Sequence, residues 1–520
     1  MPPRQRDSDG TPQESEAKST AELTDSIWRA MDKLRGSFDT IRYQDIVLSL
    51  VFLRHLSVAF DERRAELTQE VLGLGIDEDR LDEFLDDKDE YTSAHTFWLP
   101  PIARWSSITA PSPERSLRRR LDDAVNAIRR RHSSLTDVLS GLPLQSGIDE
   151  VRLTELVGII DEIRIDSADG EPVRSPLPYL YEALLLRFAR AMGPGGGEFH
   201  TPPSVALLIT RLLQPLGGRV YDPTCGTGSL LVEAAKYSAR HRRTAGPMAH
   251  VALFGQEVND QSWRLAKMNL AIHGLDGSLA DRPEDTLTND QHPDIKADFV
   301  MAHPPFDMSL RSVDPTDNRW RYGVASTGNA NYAWLQHVIS KLDDHGTACV
   351  FLPSSSMSSR TPRDRQIRGA LIEADLVAAM VALPEQLFPH AKIPTCLWVL
   401  AKDKAPYPRT GRNDRRDQIL FIDARTMGST ADGALRVLRP QENATIVDTY
   451  RSWRGTSSAR RRDGPYRNER GFCFSGRLDA VRDNGYTLTP EEYVRAYPTI
   501  RERTGPPPTK LTKDLYGLFE

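Results

Sequence analysis

The stretch that decides the fold is VYDPTCGTGSLL, residues 220–231. A short apolar run delivers Asp222, and Gly226 and Gly228 then let the backbone turn tightly and come close to a ligand. A helix is predicted to begin near Ser229, with its free N–H groups and positive dipole end directed at the same place. No Lys-Ser or Lys-Thr pair follows, which argues against a Walker-type phosphate loop. The Asp-Pro prefix favours a site for a ligand with a carboxylate over an ordinary glycine turn.

Short apolar runs and helical segments alternate beyond this loop. The run HVALFGQE (250–257) precedes the helical pattern NDQSWRLAKMNLAIHG (259–274), and ADFVMAHPP (297–305) and TCLWVLAKDK (395–404) are further predicted strands. Such alternation predicts an α/β fold with a doubly wound, mainly parallel sheet and helices on both faces. In sheets of this kind, ligands bind at the carboxyl ends of the strands.

A helical region is predicted on the amino-terminal side. From residue 21 to about 190 the apolar spacing is mostly helical, as in DIVLSLVFLRHLSVAFDERRAEL (45–67). We interpret residues 21–190 as a helical scaffold domain without chemistry of its own. The first 20 residues are polar and lack the apolar run of a secretory signal, so they are predicted to be a disordered tail.

A glycine- and proline-rich stretch, GPGGGEFHTPPS (193–204), marks the end of the helical region. The predicted organisation is a tail at 1–20, a helical domain at 21–190, an α/β domain at 191–405 and a C-terminal segment at 406–520. Two features of the last segment stay open. Residues 451–470 hold seven arginines and form either a contact to a phosphate backbone or a solvated loop. Residues 508–520 form either a short docking helix or a frayed tail.

Composition narrows the class of protein. At 520 residues the chain is long enough for about two to four domains. The net charge of −5 shows that the chain as a whole is not a basic nucleic-acid binder, so any contact to DNA requires local patches or a partner. Four cysteines without a Cys-x-x-Cys pair predict no metal site and fit a reducing cytoplasm. No apolar run approaches the roughly 18 residues of a membrane span.

Two acidic residues follow the next predicted strands. Glu257 ends the strand after the glycine loop, where an acidic side chain can bind both ribose hydroxyls of a nucleoside. The alternative for Glu257 is a helix N-cap, but its place one strand–helix unit after the loop favours a ligand. Asp285, in RPEDTL (282–287), is then expected beside the third strand end, where it could accept from an adenine amino group.

The strand at 298–302 runs into two prolines and an aromatic residue, in DFVMAHPPFDMS (298–309). An exocyclic base amine is a poor nucleophile, because its lone pair is delocalised into the ring. If the side chain of His303 and the carbonyl of Pro304 each accepted a hydrogen bond from the amine, they would favour the tetrahedral, reactive form of its nitrogen. The prolines stiffen the loop, and Phe306 could stack on a base flipped from the duplex. The alternative, an ordinary proline turn, is disfavoured by the position of the loop on the sheet.

Together these motifs resemble the modification (M) subunit of type I restriction–modification systems, which are amino-group DNA adenine methyltransferases. The resemblance covers roughly residues 22–497 and includes GEFHTPPSV, DPTCGTGSLL, GQEVND, RYGVASTGNANYAWLQHVISKL and IPTCLWVLAK. It implies a helical N-terminal domain, a Rossmann-like methyltransferase domain and a C-terminal segment. It also implies S-adenosylmethionine as methyl donor, a specificity (S) subunit that reads DNA, often a nuclease (R) subunit, and a second copy of the chain.

The resemblance also implies roles for individual residues. Phe199, Thr201 and Pro202 would line the cofactor pocket. Asp222, Thr224, Gly226 and Gly228 would hold the methionine end of S-adenosylmethionine, Glu257 its ribose and Asp285 its adenine. The methyl-transfer loop would be His303, Pro304, Pro305 and Phe306.

The sequence departs from the family pattern at two places. FHTPP stands where FYTPR is usual, and His303 stands where the family has Asn. Neutral imidazole offers one acceptor nitrogen, whereas its protonated form only donates. The methylation rate is therefore expected to fall as the pH falls through the pKa of His303. Three interpretations follow: a working N6-adenine methyltransferase, a component that binds cofactor and DNA but methylates little, or a protein with an altered substrate or an engineered substitution. Protein-glutamine methylation also uses a Pro-Pro-aromatic loop, but the long helical region argues against it.

Overall fold

The computed structural model describes residues 12–36, 39–77, 80–139, 148–163, 175–192, 200–245, 250–310, 313–388, 391–431, 435–456 and 465–496. The chain divides into two compact units. Unit 1 contains residues 1–305, 311–313 and 388–392, and unit 2 contains residues 306–310, 314–387 and 393–520. Phe199 and the C-terminal stretch 508–520 lie outside the described residues.

The amino-terminal part of unit 1 is helical, as predicted. Its helices are α1 (Pro12–Arg35), α2 (Thr40–Gly73), α3 (Leu81–Leu85), α4 (Lys88–Thr92), α5 (Trp105–Thr109), α6 (Leu117–Arg131), α7 (Glu150–Asp161) and α8 (Leu177–Ala191). Helix α1 begins at Pro12, within the stretch 1–20 that the sequence assigned to a tail; its Glu, Ala and Lys residues have high helix propensity.

Helix α2 is the core helix of this region. Its side chains from Ile46 to Leu53 are almost fully buried. By length and composition α2 could cross a membrane, but 78% of its most apolar window is buried inside the protein. Burial of this kind is typical of the core helix of a globular fold, because the apolar stripe is already covered by neighbouring helices.

The rest of unit 1 alternates strands and helices. The elements are α9 (Pro203–Leu213), β1 (Gly218–Asp222), α10 (Ser229–Ala245), β2 (Val251–Gly255), α11 (Asp260–Ile272), β3 (Gly277–Leu279) and β4 (Ala297–Ala302). The strands lie in the order β4-β1-β2-β3, and all three pairings are parallel. The carboxyl ends of these strands therefore share one edge of the sheet, where the predicted site residues follow them.

The helical region and the α/β region of unit 1 share a core. Leu265, Met268 and Ile272 of α11 belong to the same apolar cluster as the residues of α2 and α8. The Tyr181 hydroxyl of α8 donates to the carbonyl of Leu265 at 3.3 Å. In the part of unit 1 that the structure describes, packing therefore continues across the predicted boundary near residue 190, because α2 and α8 cover the apolar face of α11. The domain limits drawn from the sequence stay predictions.

Unit 2 has its own strands and helices. They are α12 (Asn331–Lys341), β5 (Leu342–Pro353), α13 (Pro362–Glu373), β6 (Val377–Leu383), β7 (Thr395–Ala401), β8 (Gln418–Asp423), β9 (Ser429–Ala431), β10 (Leu435–Val437), α14 (Pro440–Arg454), β11 (Cys473–Arg477), α15 (Leu478–Asp483) and α16 (Pro490–Ala496). The sheet order is β11-β8-β6-β7-β5, and β9 and β10 form a separate antiparallel pair.

The sheet of unit 2 departs from the expected parallel pattern. Strand β7 is antiparallel to both β5 and β6, and β11 is antiparallel to β8, whereas β6 and β8 are parallel. Strand β7 follows β6 without a crossover helix in the described residues, and a parallel pairing needs such a crossover. Strand β8 pairs with β6, so residues 418–423 extend this sheet although the sequence placed them in a separate C-terminal segment.

One arginine of the stretch 451–470 is structural. Arg454 is buried and donates to the carbonyl of Thr410 at 2.7 Å. Residues 457–464 of the same stretch lie outside the described residues. The four cysteines are buried free thiols.

Candidate active site

The glycine loop after β1 has the conformation that its sequence requires. Gly226 has φ +53° and Gly228 has φ +79°, in the left-handed region that a side chain would strain. The N–H of Cys225 donates to the carbonyl of Gln256 at 3.0 Å, which ties the loop to the end of β2. A Cβ on Gly228 would lie 3.5 Å from Ala266, so the conformation rather than crowding explains this glycine.

Glu257 closes the same loop from the next strand. One carboxylate oxygen accepts from the backbone N–H of Gly226 at 2.8 Å. The other accepts from the N–H groups of Val258 and Asn259 at 2.9 Å each. The N-cap of α11 is Asn259, whose side chain accepts from the N–H of Ser262 at 2.9 Å, so the N-cap alternative for Glu257 is wrong. Glu257 instead fixes the turn before α11 and the glycine loop. A carboxylate offers about four acceptor positions. A ribose hydroxyl that bound Glu257 would therefore share its carboxylate with these three backbone donors.

The loop after β3 joins this arrangement. Asp285 is half-buried and its carboxylate accepts from the N–H of Leu287 at 2.9 Å. The neighbouring Thr286 hydroxyl donates to the carbonyl of Pro223 at 2.7 Å, and the N–H of Glu284 donates to the carbonyl of Glu257 at 2.9 Å. The loops that follow β1, β2 and β3 are therefore hydrogen-bonded to one another, and Asp222, Glu257 and Asp285 meet at one edge of the sheet.

Asp222 is a buried carboxyl with an unusual protonation state. Burial, and then the charge of Glu257, raises its pKa to about 8. The N–H of Thr224 donates to it at 3.0 Å, which offsets the shift only in part. No basic side chain is hydrogen-bonded to Asp222 in the described chain. A ligand ammonium placed here would supply the missing positive charge, so the site fits the amino-acid end of a cofactor whose nucleoside reaches Glu257 and Asp285.

The start of α9 brings a second group of predicted residues into the unit. Pro202 is buried and its carbonyl accepts from the N–H groups of Val205 and Ala206 at 2.9 Å. Thr201 is 9% exposed, and its hydroxyl lies 2.9 Å from Nδ1 of His303. The sequence assigned Thr201 and Pro202 to the cofactor pocket, and that assignment stays a prediction. The Thr201 hydroxyl contacts His303, in the predicted methyl-transfer loop.

His303 sits at the end of β4 and is 9% exposed. The Phe388 ring stacks on the imidazole with centroids 5.8 Å apart and an interplanar angle of 24°. Burial, and then His200, lowers the pKa of His303 to about 3. The ring is therefore neutral throughout the physiological range, and the expected loss of its acceptor falls near pH 3. Desolvation of the charged form is the physical reason.

His200 stands next to the glycine loop. Its Nδ1 lies 3.4 Å from the Thr227 hydroxyl and its Nε2 lies 3.4 Å from the Ser229 hydroxyl. Burial lowers its pKa to about 4, so this ring is also neutral. The residues that depart from the family pattern are His200, Pro203 and His303, and the two histidines flank Thr201 as neutral imidazoles.

The remainder of the loop divides between the units. Pro304 is buried and Pro305 is exposed. Phe306, in unit 2, is half-buried and packs edge-to-face on Phe351, with ring centroids 5.6 Å apart. The aromatic ring is thereby held by the unit 2 core, and its role in stacking on a base stays a prediction.

Sequence reasoning missed the residues that hold Phe306. Asp307 has φ +50°, a strained backbone for a residue with a side chain. Its carboxylate accepts from the amides of Asn329 and Asn331 at 2.8 and 2.9 Å. The signal was present in GNANYAW (328–334), since two asparagines at the start of a helix are typical of a turn that hydrogen-bonds a neighbouring loop.

Comparisons with known proteins identify the family of the chain. The family model for the N-6 DNA methylases matches residues 174–502, and the HsdM N-terminal domain matches residues 23–163. The first match contains β1 to β11 and all the site residues named above. The second contains α2 to α7.

Relatives of known type align over most of the chain. It is 37% identical over 408 residues to the methylase subunit of the type I restriction enzyme HindI from Haemophilus influenzae, covering 77% of this chain and 87% of that subunit. It is 30% identical over 489 residues to the MjaIX methylase subunit from Methanocaldococcus jannaschii, covering 91% of this chain and 84% of that subunit.

Solved structures show the same fold. The methyltransferase subunit of a type I restriction-modification system from Streptococcus thermophilus has a TM-score of 0.71 at 22% identity, over 91% of this chain and 99% of that one. A chain from a study of complex assembly in a type I restriction-modification system has a TM-score of 0.60 at 20% identity, over 96% of this chain and 95% of that one. The chain therefore belongs to the N-6 DNA methylases, as a methylase subunit of the type I restriction-modification kind, a family whose methyl donor is S-adenosylmethionine.

Proposed function

We propose that this chain transfers methyl groups to N6 of adenine in DNA, as the modification subunit of a type I or type I-like restriction-modification system. The observation that carries the proposal is the neutral imidazole of His303, buried at the end of β4 beside Thr201. A neutral imidazole keeps one ring nitrogen as an acceptor. His303 could therefore accept a hydrogen bond at the position where the family has asparagine.

The chain's own residues would prepare the base. His303 and the carbonyl of Pro304 would each accept one N–H of the adenine amine. These two hydrogen bonds favour a tetrahedral nitrogen whose lone pair is available for bond formation. Pro304 and Pro305 restrict the backbone, so that the two acceptors keep their spacing. Phe306 would stack on the base once it has left the duplex.

Binding of the donor would use the connected loops of unit 1. S-adenosylmethionine, when bound, supplies an electrophilic methyl group on a sulfonium. Asp222 would hold its ammonium, the turn with Thr224, Gly226 and Gly228 its carboxylate, Glu257 its ribose and Asp285 its adenine. The fit rests on the buried carboxyl of Asp222, which no basic side chain hydrogen-bonds in the described chain, and on the hydrogen bonds that join the three loops.

The chain would act within an assembly in the cytoplasm, not at a membrane. The net charge of −5 leaves little general attraction to DNA, so we propose that a specificity (S) subunit reads the sequence. A second copy of this chain and a restriction (R) subunit are the further proposed partners. One structural neighbour comes from a study of complex assembly in a type I restriction-modification system, which supports this proposal by analogy.

A second candidate function is a component that binds cofactor and DNA but methylates little. It is favoured by the contact between Thr201 and His303, since that contact already engages Nδ1 of the ring. Imidazole is also bulkier than the asparagine amide. Cofactor binding in unit 1 would be intact in this case.

Transfer of a tritiated methyl group to DNA separates the two candidates. The natural chain, His303→Asn and His303→Ala would each be assayed with the S subunit and S-adenosylmethionine, and nucleoside mass spectrometry would identify the base. We expect N6-methyladenine from the natural chain and a loss of about 10²–10³-fold in His303→Ala, the usual cost of one oriented hydrogen bond. Equal silence of the natural and Ala forms, despite measured cofactor binding, would support the second candidate.

A further inference from the structure

The glycine loop between β1 and α10 is held peptide by peptide. The N–H of Gly226 donates to the carboxylate of Glu257 at 2.8 Å. The carbonyl of Cys225 accepts from the N–H of Gly228 at 2.7 Å. The peptide that joins Cys225 to Gly226 is therefore hydrogen-bonded at both its carbonyl and its N–H.

Asn269, on α11, holds the peptide that joins Thr227 to Gly228. Its side-chain amide donates to the carbonyl of Thr227 at 2.8 Å. A carbonyl can only accept, so the direction of this bond and the orientation of the amide are fixed. Asn269 is 1% exposed, so water competes weakly for the bond. Since the N–H of Gly228 donates to Cys225, this second peptide is also held at both ends.

The peptide between these two, which joins Gly226 to Thr227, is left for a ligand. Among the described residues, neither the Gly226 carbonyl nor the Thr227 N–H has a hydrogen-bond partner. A Cβ built on Gly226 would meet no atom within 4 Å beyond its chain neighbours, so there is open space beside this peptide. Because both flanking peptides are fixed and each peptide is planar, the middle one has little freedom to rotate.

We propose that Asn269 is a positioning residue of the cofactor site, which fixes the glycine loop so that the N–H of Thr227 donates to the carboxylate of S-adenosylmethionine. The inference rests on the proposed function and adds to the cofactor site a residue 42 positions beyond the loop. A backbone N–H forms a strong, charge-assisted hydrogen bond to a carboxylate. A donor that is fixed before binding loses less entropy when the ligand arrives.

The amino-terminal helical region holds the helix that carries Asn269. Met268, its neighbour on α11, belongs to the apolar core that α11 shares with α2 and α8. The Tyr181 hydroxyl of α8 donates to the carbonyl of Leu265, one turn before Asn269. The helical region, predicted to be a scaffold, thus sets the position from which Asn269 reaches the loop.

The test compares two ligands by calorimetry on the full chain. Decarboxylated S-adenosylmethionine keeps the nucleoside, the sulfonium and the ammonium but lacks the carboxylate. Asn269→Ala removes the amide donor, and Asn269→Leu removes it while keeping a branched side chain. Both should weaken binding of S-adenosylmethionine roughly tenfold or more, the scale of a hydrogen bond to a charged group. Both should change the affinity for the decarboxylated ligand much less.

An equal loss for the two ligands would show that Asn269 acts only on the general structure of the site, and it would overturn the proposal. Unchanged affinity for S-adenosylmethionine in the folded variants would overturn it as well. Thermal unfolding of each variant shows whether a lower affinity reflects a lower folded fraction.

A matched control lies on the same helix. Asn259 is the N-cap of α11, and its side chain accepts from the N–H of Ser262 at 2.9 Å. Asn259→Ala makes the same truncation and removes a hydrogen bond of α11, but not the one to Thr227. It should keep the natural ratio of the two affinities. A change of that ratio as large as in Asn269→Ala would show that loosening of α11 is sufficient, against the proposal.

Binding is measured without DNA, so the proposal and the proposed function can fail separately. If the natural chain bound both ligands equally well, the role of Asn269 towards the carboxylate would be refuted whatever the activity. The expected binding pattern without methylation of DNA by the natural chain would refute adenine methylation alone. No binding of S-adenosylmethionine by the natural chain would refute both.

Discussion

The carboxylate of Glu257 accepts a hydrogen bond from the backbone N–H of Gly226 at 2.8 Å, so the residue proposed to bind the ribose also holds the glycine loop. An acid just after β2 thereby sets the shape of the loop that follows β1. Cofactor binding and loop geometry are consequently coupled in one side chain, and substitutions at Glu257 will affect both.

Glu257→Ala should weaken S-adenosylmethionine binding by about 1–3 kcal/mol, because buried donors and a ribose hydroxyl would lose a charged acceptor. Glu257→Gln keeps the shape but places an amide N–H₂ near backbone donors, so it should also weaken binding. Calorimetry on the folded variants measures both changes. Unchanged affinity in Glu257→Ala would remove this residue from the site.

Asp222→Asn should weaken S-adenosylmethionine binding by about 1.5–3 kcal/mol, the range for a hydrogen bond to a charged group. Because the pKa of Asp222 is about 8, binding of the ammonium to the natural chain requires loss of a proton. Its affinity should therefore rise from pH 6 to pH 8, and that of Asp222→Asn should not. Asp294→Asn, at an exposed carboxyl in unit 1, is the control. Parallel pH profiles for the natural chain and Asp222→Asn would contradict the assignment.

The same raised pKa predicts how stability depends on pH. Asp222 binds its proton up to about pH 8 when folded, whereas an unfolded aspartate loses it near pH 3.8. The folded state thus holds more protons in this window, so the contribution of Asp222 is fully present below pH 3.8 and is lost as pH rises to 8. The slope is at most about 1.4 kcal/mol per pH unit for one group. Urea unfolding of the cofactor-free chain should show a shallower loss in Asp222→Asn.

His303→Asn should keep or raise the methylation rate, because asparagine supplies an acceptor in less space. The rate of the natural chain should not fall between pH 8 and pH 6 through this residue, since the pKa of His303 is about 3. The two chains should therefore have pH–rate profiles of the same shape. A loss of rate near pH 6.5 in the natural chain that His303→Asn abolishes would show that the ring titrates in the complex. Activity only in His303→Asn would show that His303 alone silences the site.

Asp307→Ala should lower the methylation rate by up to about 10²-fold, the cost of a small misplacement of a catalytic group. The carboxylate of Asp307 holds the loop that begins at Phe306 through Asn329 and Asn331. Asp307→Asn keeps an acceptor oxygen and should lose less. Since Asp222, Glu257 and Asp285 all lie in unit 1, the affinity for S-adenosylmethionine should be unchanged. A large loss of that affinity would contradict a role confined to the methyl-transfer loop.

Local sequence patterns were sufficient to predict several elements of the fold. The Asp-Pro prefix and the glycines at 226 and 228 predicted a strand, a tight turn and a helix, and the structure has β1, two positive-φ glycines and α10 in that order. Helical spacing predicted the amino-terminal region. These features depend on residues close in the chain, for which side-chain periodicity and backbone freedom are sufficient guides.

Tertiary structure decided what depends on distant residues. The direction of β7, the shared core of α8 and α11, and the contact of Thr201 with His303 each join segments that no local pattern connects. The protonation states of Asp222 and His303 belong to this class as well. A pKa follows from desolvation and from charges that folding brings near, so the sequence could name the groups but only their burial could set the pKa of Asp222 to about 8 and that of His303 to about 3.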